Sequence, residues 1–314
     1  MTTTIDASAP AAEFVDSTPL LTDAPALRAR AERDGFLFFR GLLPAAYVLE
    51  VRADLLGVVD RHGWRAPGQG PLGGRLDVDA VNRAVAAELR TDIGVTQEMY
   101  DDTQRLESVH RLPHHPNLLA LYRTLFGDGR DVLVHPRHIV RMVTPHRGMV
   151  PTPVHQDFPL IQGTGNTWTC WFPAGDCPRE MGGLTVLRGS HSHGYLPIQP
   201  AEGAGGIAAQ LCPGEADWVS CDYRAGDVLT FPSFTVHKAL PCRVPDQIRL
   251  SLDVRYQPAD EVVEEKSLLP HCGLTWEQIY AGWQRDDIKY YWKRLPLRLT
   301  PWDPQFLQPG RRIC

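Results

Sequence analysis

The chain has 314 residues, of which 43% are hydrophobic and 22% charged, with a net charge of −5 and a pI of about 6.2. That length suits one large domain, here taken as 1–314, and the charge offers no basic field to draw in nucleic acid or anionic lipid. No apolar run approaches the roughly 20 residues of a membrane span, and the stretch from Met1 to Phe14 lacks the basic opening and apolar core of a secretory signal. Seven cysteines, at 170, 177, 212, 221, 242, 272 and 314, are odd in number and never spaced as CxxC. Neither a cysteine zinc site nor a disulfide framework is expected, and a reducing cytoplasm fits.

In chain order, residues 1–20 read as a loose tail. Asp23 caps a helix with Pro25 in its first turn, and Gly35 supplies the left-handed stop. The run 36–39, bounded by Gly35 and Gly41, reads as a buried strand. Pro44 opens a second helix in which Val48, Val51, Leu55 and Val58 or Val59 recur at helical spacing. A Gly- and Pro-rich loop is predicted at 63–74 and a further helix at 117–126, so about 22–126 forms a helical N-terminal region. Short β-prone runs then follow at 132–134, 139–144, 167–172, 183–187, 227–231 and 249–256. Many short strands at modest spacing argue for a sandwich or barrel over about 130–258. From about 260 to 314 the chain reads as a helical extension whose aromatics (Trp276, Tyr280, Trp283, Tyr290, Tyr291, Trp292) cover the barrel from outside. No GxGxxG or GxxxxGK[ST] motif is present, so phosphate-cradling loops have no support.

The residues that carry chemistry lie in Pro153-Val154-His155-Gln156-Asp157-Phe158 and, after a long gap, at His237. On an extended strand residues i and i+2 share a face, so His155 and Asp157 offer an imidazole and a carboxylate to one point while Gln156 faces away. His237, 237 − 155 = 82 residues on, ends an apolar strand after the turn Arg224-Ala225-Gly226-Asp227. It would complete a 2-His-1-carboxylate triad, which leaves open positions on Fe(II) for a cosubstrate and O₂. A lone HxD is common by chance, and the downstream order is what adds weight. Arg249 follows His237 by 12 residues and begins a strand, where its guanidinium could grip the distal carboxylate of a dicarboxylic keto acid in bidentate fashion.

The ordered series of HxD, Met181-Gly182-Gly183-Leu184, Arg188-Gly189-Ser190-His191, Ala225-Gly226-Asp227, His237 and Arg249 resembles the phytanoyl-CoA dioxygenase superfamily. Arg33-Asp34-Gly35-Phe36 and Gly41-Leu42-Leu43-Pro44 match that family's opening, and the similarity runs from about Leu27 to Tyr256. The resemblance implies a mainly β protein with flanking helices, built on a double-stranded β-helix (jelly-roll) core. It also implies Fe(II), 2-oxoglutarate and O₂, with ascorbate as an accessory reductant. By position, His155, Asp157 and His237 would bind iron and Arg249 the distal carboxylate, with Thr169 helping to hold it. The chain departs from relatives at Lys238-Ala239-Leu240, where a small polar residue is common, and at Thr152, where some carry glutamine. Related halogenases replace the ligand carboxylate by a small residue, so Asp157 points to hydroxylation, desaturation or ring formation.

Other residues compete for these roles. Rival histidines are weaker: His191 with His193 sits at what the resemblance implies is a structural turn, His135 and His138 have opposite strand parity, and His114-His115 reads as a solvated or capping pair in a loop, while Arg255 is the fallback for the keto acid. Phe158, Trp168 and Trp171 would suit a partly apolar small molecule, and Arg137 and Arg141 an anionic one. The expected reaction is oxidation of an unactivated C–H in a natural-product intermediate, by a monomer or homodimer. A cupin-like metalloenzyme without 2-oxoglutarate and a non-catalytic binding relative are the other classes open at this point.

Overall fold

The computed structural model describes residues 12–88, 94–145, 149–271 and 273–314. Helix α1 (Ala24–Asp34) begins where the Asp23 carboxylate accepts the Ala26 N–H at 3.0 Å and ends at Gly35, whose φ of 73° is left-handed. Helix α2 (Ala45–Arg61) buries Val48, Val51, Leu55, Leu56, Val58 and Val59. Helices α3 (Val78–Ala87), α4 (Gln97–Gln104) and α5 (Glu107–Arg111) are short and went unanticipated, whereas α6 (Pro116–Phe126) is the helix expected at 117–126.

The strands are β1 (Ala12–Glu13), β2 (Leu37–Phe39), β3 (Val132–Val134), β4 (Ile139–Val143), β5 (Trp168–Pro173) and β6 (Leu184–Leu187). They continue with β7 (Ile198–Pro200), β8 (Ile207–Ala209), β9 (Trp218–Ser220), β10 (Val228–Pro232), β11 (His237–Ala239) and β12 (Arg249–Pro258). A larger sheet runs β2-β10-β5-β12-β3, with β4 also on β12, and a smaller one runs β1-β9-β6-β11. The two face each other as a jelly roll, and the helices cover the outer face of the larger sheet.

Side-chain alternation explains this layering. Leu250, Leu252, Val254 and Tyr256 on β12, with Cys170 and Phe172 on β5, join the core beneath α1, α2, α4 and α6. Tyr122 of α6 stacks on Tyr256 at 3.9 Å and shares a 2.6 Å hydrogen bond with Thr230. The opposite faces carry Phe38, Trp171, Val186, Leu229 and Phe231 into a second core between the sheets.

Three expectations need correction. Residues 1–11 of the expected tail lie outside the described residues. From residue 12 the chain is packed, with β1 pairing in parallel with β9 and Phe14 stacking on Phe38 at 5.1 Å. The C-terminal segment is not a run of long helices. It holds a four-residue helix (Trp276–Ile279), short 3-10 turns, and a parallel strand pair, β13 (Val262–Glu264) with β14 (Arg298–Thr300). Its aromatics do pack outside the barrel against Leu133, Ala259 and Val263. Cys212 and Cys314 form a disulfide across 102 residues, a pairing that sequence spacing cannot reveal. Cys170, Cys177, Cys221 and Cys242 are free, and Cys272 lies outside the described residues. Among the described residues no helix is long and apolar enough to cross a membrane.

The turn before β10 is held by Asp227, which accepts from Gly41 N at 3.0 Å, from Arg224 N at 2.8 Å and from the Arg40 guanidinium. Beside it Gly226 has φ 98°, and a Cβ there would lie 2.3 Å from the Leu43 carbonyl oxygen. Gly226→Ala is therefore expected to cost about 2 kcal/mol or more, read as a lower urea midpoint at unchanged slope.

Between the helices, the larger sheet and the C-terminal aromatics lie His110, His114, His135 and His138. His110 Nε2 donates to the Gln104 carbonyl at 3.0 Å, and His135 Nε2 is 2.9 Å from Gln257 Oε1. Burial pushes His110 down to about 3, His114 and His135 to about 4, and His138 well below its ordinary value. Folded pKa values below the unfolded one mean that unfolding takes up protons. The stability is complete above about pH 6.5 and is lost as pH falls towards 4, at about 1.4 kcal/mol per pH unit for each histidine. Urea midpoints measured from about pH 7.5 down to about pH 5 should fall more steeply in the parent than in His110→Phe. Equal slopes would show that this ring titrates alike folded and unfolded.

Candidate metal centre

His155 and His237 meet across a single antiparallel bridge, each N–H donating to the other's carbonyl at 2.9 Å. Asp157 is not on the same extended strand as His155. It has right-handed helical backbone angles (φ −72°, ψ −28°) and precedes the short helix α7 (Phe158–Ile161). The convergence of His155 and Asp157 thus comes from a bridge followed by a helical turn, and not from strand alternation. Gln156 does face away, donating to Gly194 O at 2.7 Å and Phe234 O at 2.6 Å and accepting from Leu196 N at 2.8 Å. His237 begins β11 and does not end β10, and the turn between is tied to the end of α1 by Thr235 Oγ1 donating to Gly35 O at 2.6 Å.

The Nδ1 atoms of His155 and His237 lie 2.8 and 3.0 Å from the carbonyls of Pro153 and Thr235. A carbonyl only accepts, so Nδ1 carries the proton in each ring and Nε2 presents a lone pair. The two Nε2 atoms lie 3.6 and 3.8 Å from Asp157 Oδ1, and one ligand atom from each residue falls within 4.8 Å of the others. All three side chains are buried. Burial, then the neighbouring His155, pushes His237 down to about 4, so it is neutral at physiological pH. Burial acts to raise the Asp157 carboxyl, but Arg255 and the two histidines outweigh it and hold the group well below the usual carboxylate range.

Asp157 Oδ2 points the other way. It accepts from the Thr169 hydroxyl and lies 3.4 Å from an Arg255 Nη2. Thr169 was expected to hold 2-oxoglutarate, and its hydroxyl is instead engaged with Asp157. Arg255, the fallback for the keto acid, is also turned to Asp157.

The remaining inward residues come mostly from β12, where Arg249, Ser251, Asp253, Arg255 and Gln257 alternate with apolar neighbours. Arg249 is buried, touches Ser251 Oγ and lies 5.9 Å from the Trp171 ring centre. Among the described residues it has no carboxylate within ion-pair distance, and its Nε has no hydrogen-bond partner. Burial accordingly pushes its pKa down. Across the sheet, Arg141 Nε pairs with Asp253 Oδ2 at 2.9 Å. Arg141, Trp171, Arg249, Asp253 and the triad line a cavity of about 970 Å³, counting the part open to solvent, whose lining also includes Val143, Met149, Val150, Ala204 and Leu240.

Trp171 and Arg141 line the cavity as expected, whereas Trp168 and Phe158 do not. Trp168 is three residues from Trp171 and so faces the helical layer, with its Nε1 donating to Asn166 Oδ1 at 3.1 Å. Phe158 packs against Phe234 at 4.7 Å and Phe306 at 5.1 Å. Arg137 also lies elsewhere, donating to the carbonyls of Leu269 and Pro270. Of the rival histidines, His191 reaches Glu32 O at 2.9 Å, His193 lies 3.4 Å from Glu215, and His115 caps α6 by accepting from Asn117 N at 3.2 Å. Asp253, which lines the cavity, was missed as a site residue, although the polar-apolar alternation of 249–257 was the signal that could have found it.

Two imidazoles and one carboxylate on one wall, with the cavity open opposite, form the donor set that suits Fe(II) with free positions. Comparison with known proteins agrees with this chemistry. A 1-deoxypentalenic acid 11-beta-hydroxylase of Streptomyces arenae is 27% identical over 261 residues, covering 79% of this chain and 86% of the relative. The Streptomyces exfoliatus protein of the same name matches to the same extent. Among solved structures, the non-heme alpha ketoglutarate dependent epimerase SnoN from nogalamycin biosynthesis is 25% identical with a TM-score of 0.51, covering 76% of this chain and 85% of that one. A SnoN complex with Fe3+, alpha ketoglutarate and nogalamycin RO is 24% identical, with a TM-score of 0.53 over 77% of this chain and 86% of that one. The sequence profile described as Phytanoyl-CoA dioxygenase (PhyH) matches residues 31–250, and the chain belongs to that family.

Proposed function

We propose that this protein is a non-haem Fe(II)- and 2-oxoglutarate-dependent oxygenase that oxidises an unactivated C–H bond of a small natural-product intermediate. The observation that carries this reading is the pairing of a buried His155–Asp157–His237 cluster with a buried Arg249 that, among the described residues, has no carboxylate within ion-pair distance, in one cavity. When bound, the iron and keto acid supply oxidative decarboxylation to succinate and CO₂, coupled to C–H oxidation.

The chain's own residues bind, orient and exclude water. His155 and His237 are held in the Nδ1–H form by backbone carbonyls, so their Nε2 lone pairs are ready without a proton to displace. Asp157 adds the one negative ligand. Arg249 is a preformed cation for the distal carboxylate of 2-oxoglutarate. A buried guanidinium without a counterion is costly, and an arriving carboxylate relieves that cost through charge-assisted hydrogen bonds. Trp171 and Ser251 fix its position. A cupin-like enzyme without a keto acid would leave this cation unexplained.

For the substrate, the apolar side chains of Val143, Met149, Val150 and Leu240 in the lining and the inward Arg141–Asp253 pair favour an apolar body carrying a polar group. The hydroxylases of 1-deoxypentalenic acid support a tailoring reaction in secondary metabolism. Hydroxylation is the outcome we favour, with the family's epimerase relatives marking other uses of the same frame.

His155→Ala and Asp157→Ala should remain folded and lose Fe(II) affinity by about 100-fold or more, since each removes one of three ligands. Normal iron content in both would overturn the metal assignment. Adding Fe(II) and then 2-oxoglutarate without oxygen should give a weak visible charge-transfer band. In Arg249→Ala the iron should stay and the band should need about tenfold or more keto acid. An unchanged titration in that variant would remove Arg249 from 2-oxoglutarate binding.

A further inference from the structure

The Asp157 carboxylate is divided between two tasks. Oδ1 lies 3.6 and 3.8 Å from the two histidine Nε2 atoms, while Oδ2 is taken by Thr169 and Arg255. Thr169 and Arg255 are direct partners in the antiparallel register of β5 and β12, so one rung of the sheet delivers both donors to the same oxygen. Both side chains are buried, and Asp157 is the sole carboxylate within ion-pair distance of Arg255 among the described residues. His135 and His138, which lie close enough to feel its charge, carry no negative charge.

We propose that Thr169 and Arg255 form a positioning clamp that restricts Asp157 to binding the metal through one oxygen. The inference rests on the metal-centre reading above. Its consequence follows from counting positions on a six-coordinate ion. Two imidazoles and one carboxylate oxygen fill three positions and leave three, enough for a two-point keto acid and one further ligand. A carboxylate bound through both oxygens would fill a fourth, leaving room for the keto acid alone. A hydroxyl and a guanidinium on Oδ2 oppose that swing, because it would strand a buried cation and a buried donor. Thr169 thereby serves the centre through Asp157 and not through 2-oxoglutarate.

The test uses Co(II) alone as the probe, bound to the full chain and to Thr169→Val, Thr169→Ser, Arg255→Gln and Arg255→Lys. Folding is checked by circular dichroism and melting. Thr169→Val, which keeps the side chain's shape, carries the test if Arg255→Gln fails to fold. Thr169→Val and Arg255→Gln should bind Co(II) about 10- to 100-fold more weakly, with altered visible d–d bands as the carboxylate changes its mode. Thr169→Ser, which keeps the donor, should restore affinity and spectrum. A destabilised but otherwise uninvolved site would melt earlier with an unchanged spectrum, which overturns the clamp. Affinity and bands equal to the parent's in Thr169→Val also overturn it, while leaving the metal centre standing. A parent chain that takes up no Co(II) or Fe(II) overturns the metal-centre reading and this inference with it.

Discussion

The reciprocal hydrogen bonds between the backbones of His155 and His237 join two segments 82 residues apart, and much of the site depends on them. They set the spacing of the two rings and bring the chain into the helical turn that carries Asp157. The segments they join are anchored in different layers. Gln156 is fastened to the loops at Gly194, Leu196 and Phe234, and the turn before His237 is tied to the end of α1 through Thr235 and Gly35. The metal-ligand geometry is thus a product of backbone pairing, with the side chains oriented afterwards by carbonyls at Pro153 and Thr235.

Strand β12 supplies the second half of the site from the opposite wall. All ten of its residues are buried. In a half-exposed strand the polar face of such an alternation meets water. Here Arg249 and Asp253 of that face meet the cavity, and the apolar face meets helices. Two of the inward charges on β12 have a defined counterpart: Arg255 with Asp157, Asp253 with Arg141. Among the described residues Arg249 has no carboxylate within ion-pair distance, which makes it the place where an anionic ligand is energetically useful.

Much of this was legible in the sequence where the cause is local. The Asp23 cap, the Gly35 stop and the runs at 132–134, 139–144 and 249–256 match elements within a few residues, because caps, glycine angles and β-branched runs act over short distances. The three short helices α3–α5 carry no long apolar stripe and were passed over. The family resemblance pointed to His155, Asp157, His237 and Arg249, which the structure brings to one cavity, but the strand argument for His155 and Asp157 had the wrong local cause. Trp168 could have been set aside by parity alone, since it lies three residues from Trp171. The partners of Asp157 Oδ2 depend on cross-strand register between residues 86 apart (255 − 169), as the disulfide depends on a loop of 102 residues. No local pattern encodes either.

The two faces of β12 also bear on how such a protein diverges. Two of its inward residues, Arg249 and Asp253, line the cavity, while its outward residues pack into the helical core with α6. Effects at sites without shared partners tend to add. Substrate preference can therefore be varied at Asp253 with little epistasis from the positions that hold the helices in place. A frame with that separation lets a cavity change its occupant while the fold around it stays put.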